Sequence, residues 1–466
     1  MHQHGLYIFT NDLRLEQNQA LVEAAASSQR LLLVYIVNPA HFKPNNYNQR
    51  HLGDHQWRFI LESLEFLNKQ LSQQAQEVRV IFDEPAKALT DLLTNLAITR
   101  VDRSDTFDYQ LEQAFDRVEQ NVDGVTFFKH KGNTLFTADT LPYLFNNLPA
   151  TFAEFEAAAE RLIATQLAGQ STIPTLPPTI RSSQSLLQPF APSNFEPHDL
   201  LNDSFIKLNQ LPSPRPGADP QFTGGADGAK AMLNQYLNEN GAEELGETRS
   251  KLPDEHSMLS PWLAVGCITP SQIIELIGQA TNIQQASLVK RAMIKGLTKR
   301  EYSYWIAMKH QAGLYQLTGI DDRKLLTSYY AHRFQMWAAG NTPYPLINAF
   351  MKQLNATGFI PNSARYLLAH YFCNELGLDW RFGAAYFQQQ LIDHDPVSNW
   401  SNWQLAAGVA SFFPVREKIN IEELTLQYDP DESYRRAWLK SSELTGNDSP
   451  MDHVDAADWP IMPKNH

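Results

Sequence analysis

Cysteine is scarce in this chain of 466 residues, which contains only Cys267 and Cys373. Two thiols so far apart in the sequence form neither a disulfide framework nor a four-thiolate iron–sulfur or zinc site. We therefore expect both to be small buried hydrophobic side chains in a reduced compartment. We also expect the protein to bind no metal and no iron–sulfur cluster.

Long apolar runs are missing as well. No stretch approaches the roughly 18 apolar residues that identify a membrane-spanning helix. The N-terminus, Met1–Gly5, lacks a basic region followed by a sustained apolar run, which is the pattern of a secretory leader. We expect a soluble, cytoplasmic protein with no membrane partner.

Positive charge is also in short supply, since the formal net charge is −13. This balance excludes a generally basic nucleic-acid binder, and any contact with nucleic acid must be local. Hydrophobic residues make up 43% of the chain, enough for a large core in two or three domains.

The first 130 residues alternate short apolar runs with amphipathic segments. The pattern predicts strands at Leu6–Phe9, Leu31–Ile36, Val78–Phe82 and Val125–Phe128, and helices near 54–74, 85–97 and 109–121. Alternating elements of this kind indicate βαβ units around a mainly parallel, Rossmann-like sheet. No Gly-x-Gly-x-x-Gly follows the first strand, so the dinucleotide fingerprint is absent.

The rest of the chain has a different character. Between about 168 and 225 it is rich in Pro, Ser, Thr and Gln, and such a segment buries too little apolar surface to form its own core. From about 226 onward, helical periodicity dominates. We predict an α/β domain over 1–130, a connector over 131–225 and an all-α domain over 226–466.

One stretch of the helical domain, Gly377–Trp403, combines acids, an amide and tryptophans in an apolar setting. Asp393 and Asp395 lie two residues apart, and Asn399 precedes Trp400 and Trp403. A carboxylate is costly to bury without a partner, and tryptophans suit either core packing or a large planar ligand. These residues alone do not decide between an ordinary core and a cofactor pocket.

The surrounding sequence resembles the flavin domain of the photolyase/cryptochrome family, collinearly over roughly the last half of the chain. The resemblance rests on Asn341–Leu346, Leu354–Phe359, Asn362 with Arg365, and the stretch just described. Thr10–Leu15 is similar to the N-terminal signature of the same family. Glu247–Arg249 and Ser257–Cys267 look most like its DASH-type cryptochrome branch.

This resemblance implies that the helical domain binds FAD. Arg365 is then expected to pair with Asp393 across the isoalloxazine, and Asp395 to lie beside its polar edge. Asn399 matches the position facing the flavin N5, where a neutral amide accepts from a protonated nitrogen and favours photolyase-like redox states. The full set of expected cofactor-binding residues is His256, Ser257, Met258, Leu259, Ser260, Arg300, Asn362, Arg365, Asp393, His394, Asp395 and Asn399.

Residues 256–260 have a second interpretation. A Ser-rich turn ahead of a helix offers hydroxyls and unpaired backbone N–H groups to a diphosphate. The same residues also fit a plain helix N-cap, with Ser260 followed by Pro261 in the first turn.

The resemblance further implies that Trp403 and Trp380 feed electrons to the photoexcited flavin. The third tryptophan of the family's chain is missing, because Thr327 occupies its position. Glu112 falls where some members contact an antenna chromophore such as methenyltetrahydrofolate.

The substrate pocket departs most from the family pattern. Gly296 replaces the lesion-binding glutamate, Met293 and Leu405 replace aromatic residues, and Tyr366 replaces a smaller or amide residue. Asn362 is kept. Losing the carboxylate and the stacking rings weakens recognition of a pyrimidine dimer.

Five basic residues between 290 and 300 fit either a solvated helix face or a phosphate-contacting strip. They are Lys290, Arg291, Lys295, Lys299 and Arg300. Three functions therefore stay open: a deoxyribodipyrimidine photo-lyase acting on single-stranded DNA, a blue-light photoreceptor that signals through a protein partner, and a flavoprotein with neither role.

Overall fold

The protein is described from a computed structural model, which covers residues 2–166, 173–180, 222–242, 257–279, 286–413 and 419–440. The strands are β1 (His2–Phe9), β2 (Ser28–Val37), β3 (Val78–Phe82), β4 (Arg100–Ser104) and β5 (Thr126–His130). The helices of the N-terminal domain and the predicted connector are α1 (Gln19–Ser27), α2 (Asp54–Leu71), α3 (Pro85–Leu96), α4 (Tyr109–Asn121) and α5 (Phe152–Gln166). The remaining helices are α6 (Ala226–Ala242), α7 (Ser260–Val265), α8 (Pro270–Gln279), α9 (Ala286–His310), α10 (Ala331–Ala339), α11 (Pro345–Thr357), α12 (Asn362–His370), α13 (Trp380–Gln390), α14 (Pro396–Ala406), α15 (Ile421–Tyr428) and α16 (Ser433–Trp438).

The N-terminal domain contains a five-stranded sheet of order β3-β2-β1-β4-β5, in which every neighbouring pair is parallel. The helices between the strands make the crossovers that a parallel sheet requires. The predicted α/β domain, followed by a helical domain, is therefore confirmed. Since all strands run the same way, their carboxyl ends meet at one edge, where open α/β sheets usually bind ligands.

The loop after β1 fastens the two domains together. The buried carboxylate of Asp12 accepts from the Thr10 backbone N–H at 2.8 Å and from Ser104 Oγ at 2.7 Å. Arg14 Nη1 donates to the backbone oxygen of Gly266 at 2.9 Å. Gly266 has φ +74°, and a Cβ there would lie 1.9 Å from the Asn11 backbone oxygen, so only glycine permits this approach.

The predicted connector contains a helix that the sequence did not indicate. Helix α5 packs against α9, where the rings of Phe155 and Tyr302 are 5.1 Å apart. Of the Pro-rich part, residues 173–180 are described: Leu176 is buried, and the backbone oxygen of Pro178 accepts from Leu31 N–H at 3.0 Å. The domain bounds at 130 and 225 stay predictions.

The helical domain has its own core around α10 to α14, in which Trp337, Trp380 and Trp403 are buried. Within the described ranges, no helix combines the length and the apolar character needed to cross a membrane. No cluster of His, Cys, Asp or Glu that could hold a metal ion occurs among those same residues.

Candidate functional site

Asp393 is the centre of the candidate site, and its side chain is only 1% exposed. Arg365, one turn into α12, donates from Nη2 to Asp393 Oδ2 at 2.8 Å and from Nε to the Ile360 backbone oxygen at 3.0 Å. Ser260 Oγ, at the start of α7, donates to the same Asp393 oxygen at 2.5 Å. A charged and a neutral donor thus stabilise one oxygen of a buried carboxylate.

The other oxygen of Asp393 is buried and has no hydrogen-bond partner among the described residues. The same holds for both ring nitrogens of the neighbouring His394. Buried polar atoms are nearly always paired, so these unpaired atoms indicate polar ligands. A flavin ring, whose edge carries an N–H group, fits the free oxygen of Asp393, an acceptor.

Asn399 lies on α14 and is buried. Its Nδ2 donates to the Ala384 backbone oxygen at 2.9 Å. Because a carbonyl oxygen only accepts, this contact fixes the orientation of the amide and leaves the Asn399 side-chain oxygen as an acceptor. A neutral acceptor is what the family resemblance of the sequence implied for this position.

Both carboxylate oxygens of Asp395 accept hydrogen bonds from other residues of the protein. It is the N-cap of α14 and accepts from the Ser398 backbone N–H at 2.7 Å, while its second oxygen accepts from the Tyr304 hydroxyl. The Arg300 guanidinium lies 4.4 Å from the centroid of the Tyr304 ring and donates to the Asn133 backbone oxygen at 2.7 Å. Sequence reasoning missed Tyr304, although its position four residues after Arg300 on one helix was a usable signal.

The turn before α7 is described from Ser257 onward, and the predicted residue His256 lies outside the described residues. Met258 has φ +52° and Leu259 is buried. Ser260 is the first residue of α7, and its hydroxyl donates to Asp393. It therefore does not act as the plain N-cap that the sequence also allowed.

Asn362 is placed differently from the buried residues around Asp393. It begins α12 immediately after Pro361, and its side chain is exposed. Three residues later, Arg365 is partly buried and reaches Asp393. Asn362 therefore faces solvent.

Both predicted electron-transfer residues are buried, with Trp380 at 0% and Trp403 at 1% exposure. The Trp403 ring packs on Gly383, where an added Cβ would lie 2.1 Å from the ring, so α13 and α14 need a glycine at this contact. Trp380 Nε1 donates to the Leu317 backbone oxygen at 3.1 Å. Trp403 Nε1 is buried without a partner among the described residues.

A cavity of about 170 Å³ lies between the domains, at the carboxyl ends of the strands. Rings of both domains line it, among them Tyr35, Trp57, Phe107 and Tyr304. Glu112 does not line this cavity. Its carboxylate accepts from Arg103 at 2.7 Å and from Lys129 at 2.8 Å.

Burial lowers the pKa of His394 to about 4, although the carboxylates of Asp395 and Asp393 act in the opposite direction. Burial likewise lowers the pKa of His41 to about 4 and also lowers the pKa of His51; the two rings stack at 5.4 Å. All three histidines line the cavity between the domains.

Acid should therefore destabilise the protein. An unfolded histidine gains a proton near pH 6.5, whereas these folded ones resist it, so the unfolded state binds more protons between about pH 6.5 and 4. The contribution of these histidines to the free energy of unfolding is full above pH 6.5 and falls as the pH drops, by about 3 kcal/mol for His394 alone. Urea unfolding from pH 7.5 to 4.5 measures the slope of the free energy of unfolding against pH. His41→Gln should reduce it, and an unchanged slope in that variant would contradict the assignment.

Comparison with known proteins identifies the family of the chain. Residues 5–177 match the family model described as DNA photolyase, and residues 293–456 match the FAD binding domain of DNA photolyase. A protein called cryptochrome DASH from Idiomarina loihiensis is 36% identical over 461 residues, which covers 98% of this chain and 96% of the relative.

Solved structures share the fold. A cryptochrome from Synechocystis sp. superposes with a TM-score of 0.83 at 25% identity, covering 99% of this chain and 96% of the other. An archaeal photolyase from Sulfolobus tokodaii, described with two FAD molecules, gives a TM-score of 0.71 at 20% identity over 97% and 93% of the two chains. The chain therefore belongs to the photolyase/cryptochrome family, has the family's FAD-binding domain and most resembles the DASH-type cryptochromes.

Proposed function

We propose that this protein absorbs blue light through FAD and supplies electrons to it through Trp403 and Trp380. The observation that carries the proposal is the free buried oxygen of Asp393, whose other oxygen is held by Arg365 and Ser260. When bound, FAD supplies the light-absorbing and electron-accepting chemistry. Asp393 orients it.

Asn399 and the tryptophans have distinct parts in this proposal. The fixed amide of Asn399 offers its oxygen to a protonated ring nitrogen without adding charge. The buried Trp403 and Trp380 are shielded from water. Their burial in one core around α13 and α14 supports a short electron path.

The test is the absorption spectrum of the purified protein before and after blue light with a thiol reductant. We expect flavin bands that bleach on illumination. A Trp403→Phe variant with the same flavin content should bleach more slowly. Purification without flavin bands, or bands unchanged by light, would overturn the proposal.

Single-stranded DNA is the proposed substrate, with reductive splitting of a pyrimidine dimer as the reaction. Helix α9 exposes Lys290, Arg291, Lys295 and Lys299, which form a local strip of positive charge for phosphate contacts on a protein of net charge −13. Lys295 also pairs with Glu156 at 3.1 Å. Gly296, beside Lys295, is exposed, and a Cβ there would meet nothing within 4 Å.

Without a glutamate at position 296, the pocket has little binding energy to offset extrusion of a base from a duplex. We therefore expect repair of cyclobutane dimers to be weak or absent in duplex DNA and higher in single strands, which avoid the cost of unpairing. Illuminating the reduced protein with both forms of a dimer-containing oligonucleotide and counting restored pyrimidines measures this difference. Lys295→Ala should weaken binding to both forms, while Lys309→Ala, near the far end of α9, serves as the matched control. Rapid turnover on duplex DNA would contradict the prediction.

A second function, blue-light signalling through a protein partner, is favoured by the burial of two expected pocket residues. Met293 and Leu405 are 7% and 6% exposed and belong to the core that joins the domains. They therefore offer no surface to a lesion. Photoreduction without dimer splitting in either form of DNA would select this function.

The proposal also includes a bound antenna chromophore such as methenyltetrahydrofolate. The cavity between the domains supports a ring-binding site, but about 170 Å³ is below the 300–1,000 Å³ usual for ligand pockets, so it holds only part of such a molecule. Glu112 is engaged by Arg103 and Lys129, so its effect on an antenna is indirect. Acid extraction and absorption of the released chromophore test this point.

A further inference from the structure

The outermost electron donor is the open step of the proposed function, because Thr327 replaces the family's third tryptophan. We propose that Trp400 and Tyr47 complete the electron path, so that the N-terminal domain supplies the residue that exchanges electrons with solvent. This inference rests on light-driven electron transfer through Trp403 and Trp380. It adds two residues to that path.

The packing of α13 on α14 places Trp400 next to the predicted path. The Trp380 and Trp400 rings meet edge to face, 5.6 Å apart and at 77°. One turn further along both helices, Trp403 packs on Gly383. Trp400 therefore touches the second tryptophan of the path and lies one helical turn from the first. It is 5% exposed, so it cannot itself end the path at the surface.

Tyr47 extends the path from Trp400 towards solvent. The two ring centroids are 6.2 Å apart, and Tyr47 is partly exposed. Its loop is held in place, since Asn45 Oδ1 accepts from the Tyr47 backbone N–H at 2.9 Å and Gln389 Oε1 on α13 accepts from Arg50 N–H at 2.7 Å. Tyr47 is thus kept against α13.

Access to water distinguishes Tyr47 from the nearer Tyr315, whose ring is 5.0 Å from Trp400. The Tyr315 phenol is more deeply buried than the Tyr47 phenol, and burial raises the pKa of both. Beside Tyr47, the Arg381 guanidinium and its partner Asp379 act on the pKa in opposite directions. A tyrosine that gives up an electron must also release its phenol proton, and contact with water provides an acceptor for that proton.

Tyr329 is the third candidate and is 45% exposed. Its ring stacks on Phe382 at 4.2 Å, and Phe382 lies 5.1 Å from Tyr47. Any route to Tyr329 along these ring contacts passes through phenylalanine, which is harder to oxidise than tyrosine. Tyr47 is therefore assigned as the end of the path.

The electron balance is simple. One electron leaves Trp403 for the photoexcited cofactor and is replaced in turn from Trp380, Trp400 and Tyr47. The Tyr47 phenol loses that electron and releases its proton to water, which leaves a neutral tyrosyl radical. A thiol in solution returns one electron and one proton to Tyr47, and two resulting thiyl radicals couple to a disulfide.

The experiment compares flavin-loaded parent protein with Tyr47→Phe, Tyr315→Phe and Tyr329→Phe. Each sample is illuminated with a thiol, and samples frozen during illumination are examined by electron paramagnetic resonance with ring-deuterated tyrosine. We expect the parent and the last two variants to show a tyrosyl radical. Tyr47→Phe should lose this signal and bleach more slowly, at unchanged flavin content and unfolding temperature.

Two results separate this inference from the proposed function. Absence of photoreduction in the parent would refute the proposed function itself. A parent that photoreduces while Tyr47→Phe keeps the tyrosyl radical would overturn the Tyr47 assignment alone. Adding Thr327→Trp to Tyr47→Phe should restore the bleaching rate, because the new tryptophan supplies a different outer donor. Position 327 precedes Ser328, whose backbone pairs with Leu378, two residues before Trp380. Failure of that rescue would count against a lost electron donor as the cause.

Discussion

Arg365→Ala is expected to purify without flavin and to be less stable by about 3–5 kcal/mol, the usual cost of leaving a buried charge without its partner. Arg365 donates to Asp393 at 2.8 Å, and the Asp393 side chain is 1% exposed. After the substitution, Ser260 is the remaining donor to that carboxylate among the described residues. Flavin absorbance per protein and urea unfolding measure the two effects.

A double variant separates loss of the ligand from loss of stability. Adding Asp393→Asn to Arg365→Ala removes the unpaired charge, so stability should partly return while flavin stays absent. Arg323→Ala is the matched control, since its pair with Asp321 is more exposed and surface pairs contribute about 0–1 kcal/mol. Full flavin occupancy in Arg365→Ala would show that Asp393 does not orient the cofactor.

The sheet could be predicted because its signal is local. Short apolar runs mark the strands, and amphipathic segments between them mark the crossovers, so the order along the chain was enough. The start of α14 also has a local signal, since Asp395 followed by Pro396 is a strong N-cap pair. Helix α5 was missed because it precedes a Pro-rich segment and was included in the connector.

The contacts within the site could not be predicted in the same way. Ser260 meets Asp393 across 133 residues, and that contact depends on how α7 is placed relative to the loop before α14. The sequence left the stretch containing Trp400 open between core packing and a cofactor pocket, and the contact of Trp400 with Trp380 follows only from the register of α13 on α14. Local sequence gives residue types but not this register.

The same limit applies to Glu301, whose sequence neighbours give no sign of its partners. It is fully buried on α9 and accepts from the backbone N–H groups of Leu135 at 2.8 Å and Phe136 at 3.0 Å, and from Trp305 Nε1 at 2.8 Å. Burial raises the pKa of this carboxyl despite the three donors. The residue thus ties the loop after β5 to the helical domain, next to the bond between Arg300 and Asn133.

Glu301→Ala should lower the free energy of unfolding by about 3 kcal/mol or more, because each buried donor left without an acceptor costs about 1–3 kcal/mol. Part of that cost is offset, since the substitution also removes a buried charge. Glu301→Gln should be milder, because its amide oxygen keeps two of the contacts while its NH₂ faces the remaining donor. Urea unfolding at pH 7 measures all three proteins, and Glu160→Ala on α5, where the glutamate is exposed, is the control. A loss in Glu301→Ala no larger than in Glu160→Ala would mean that the loop is held to α9 by its apolar contacts rather than by this carboxylate.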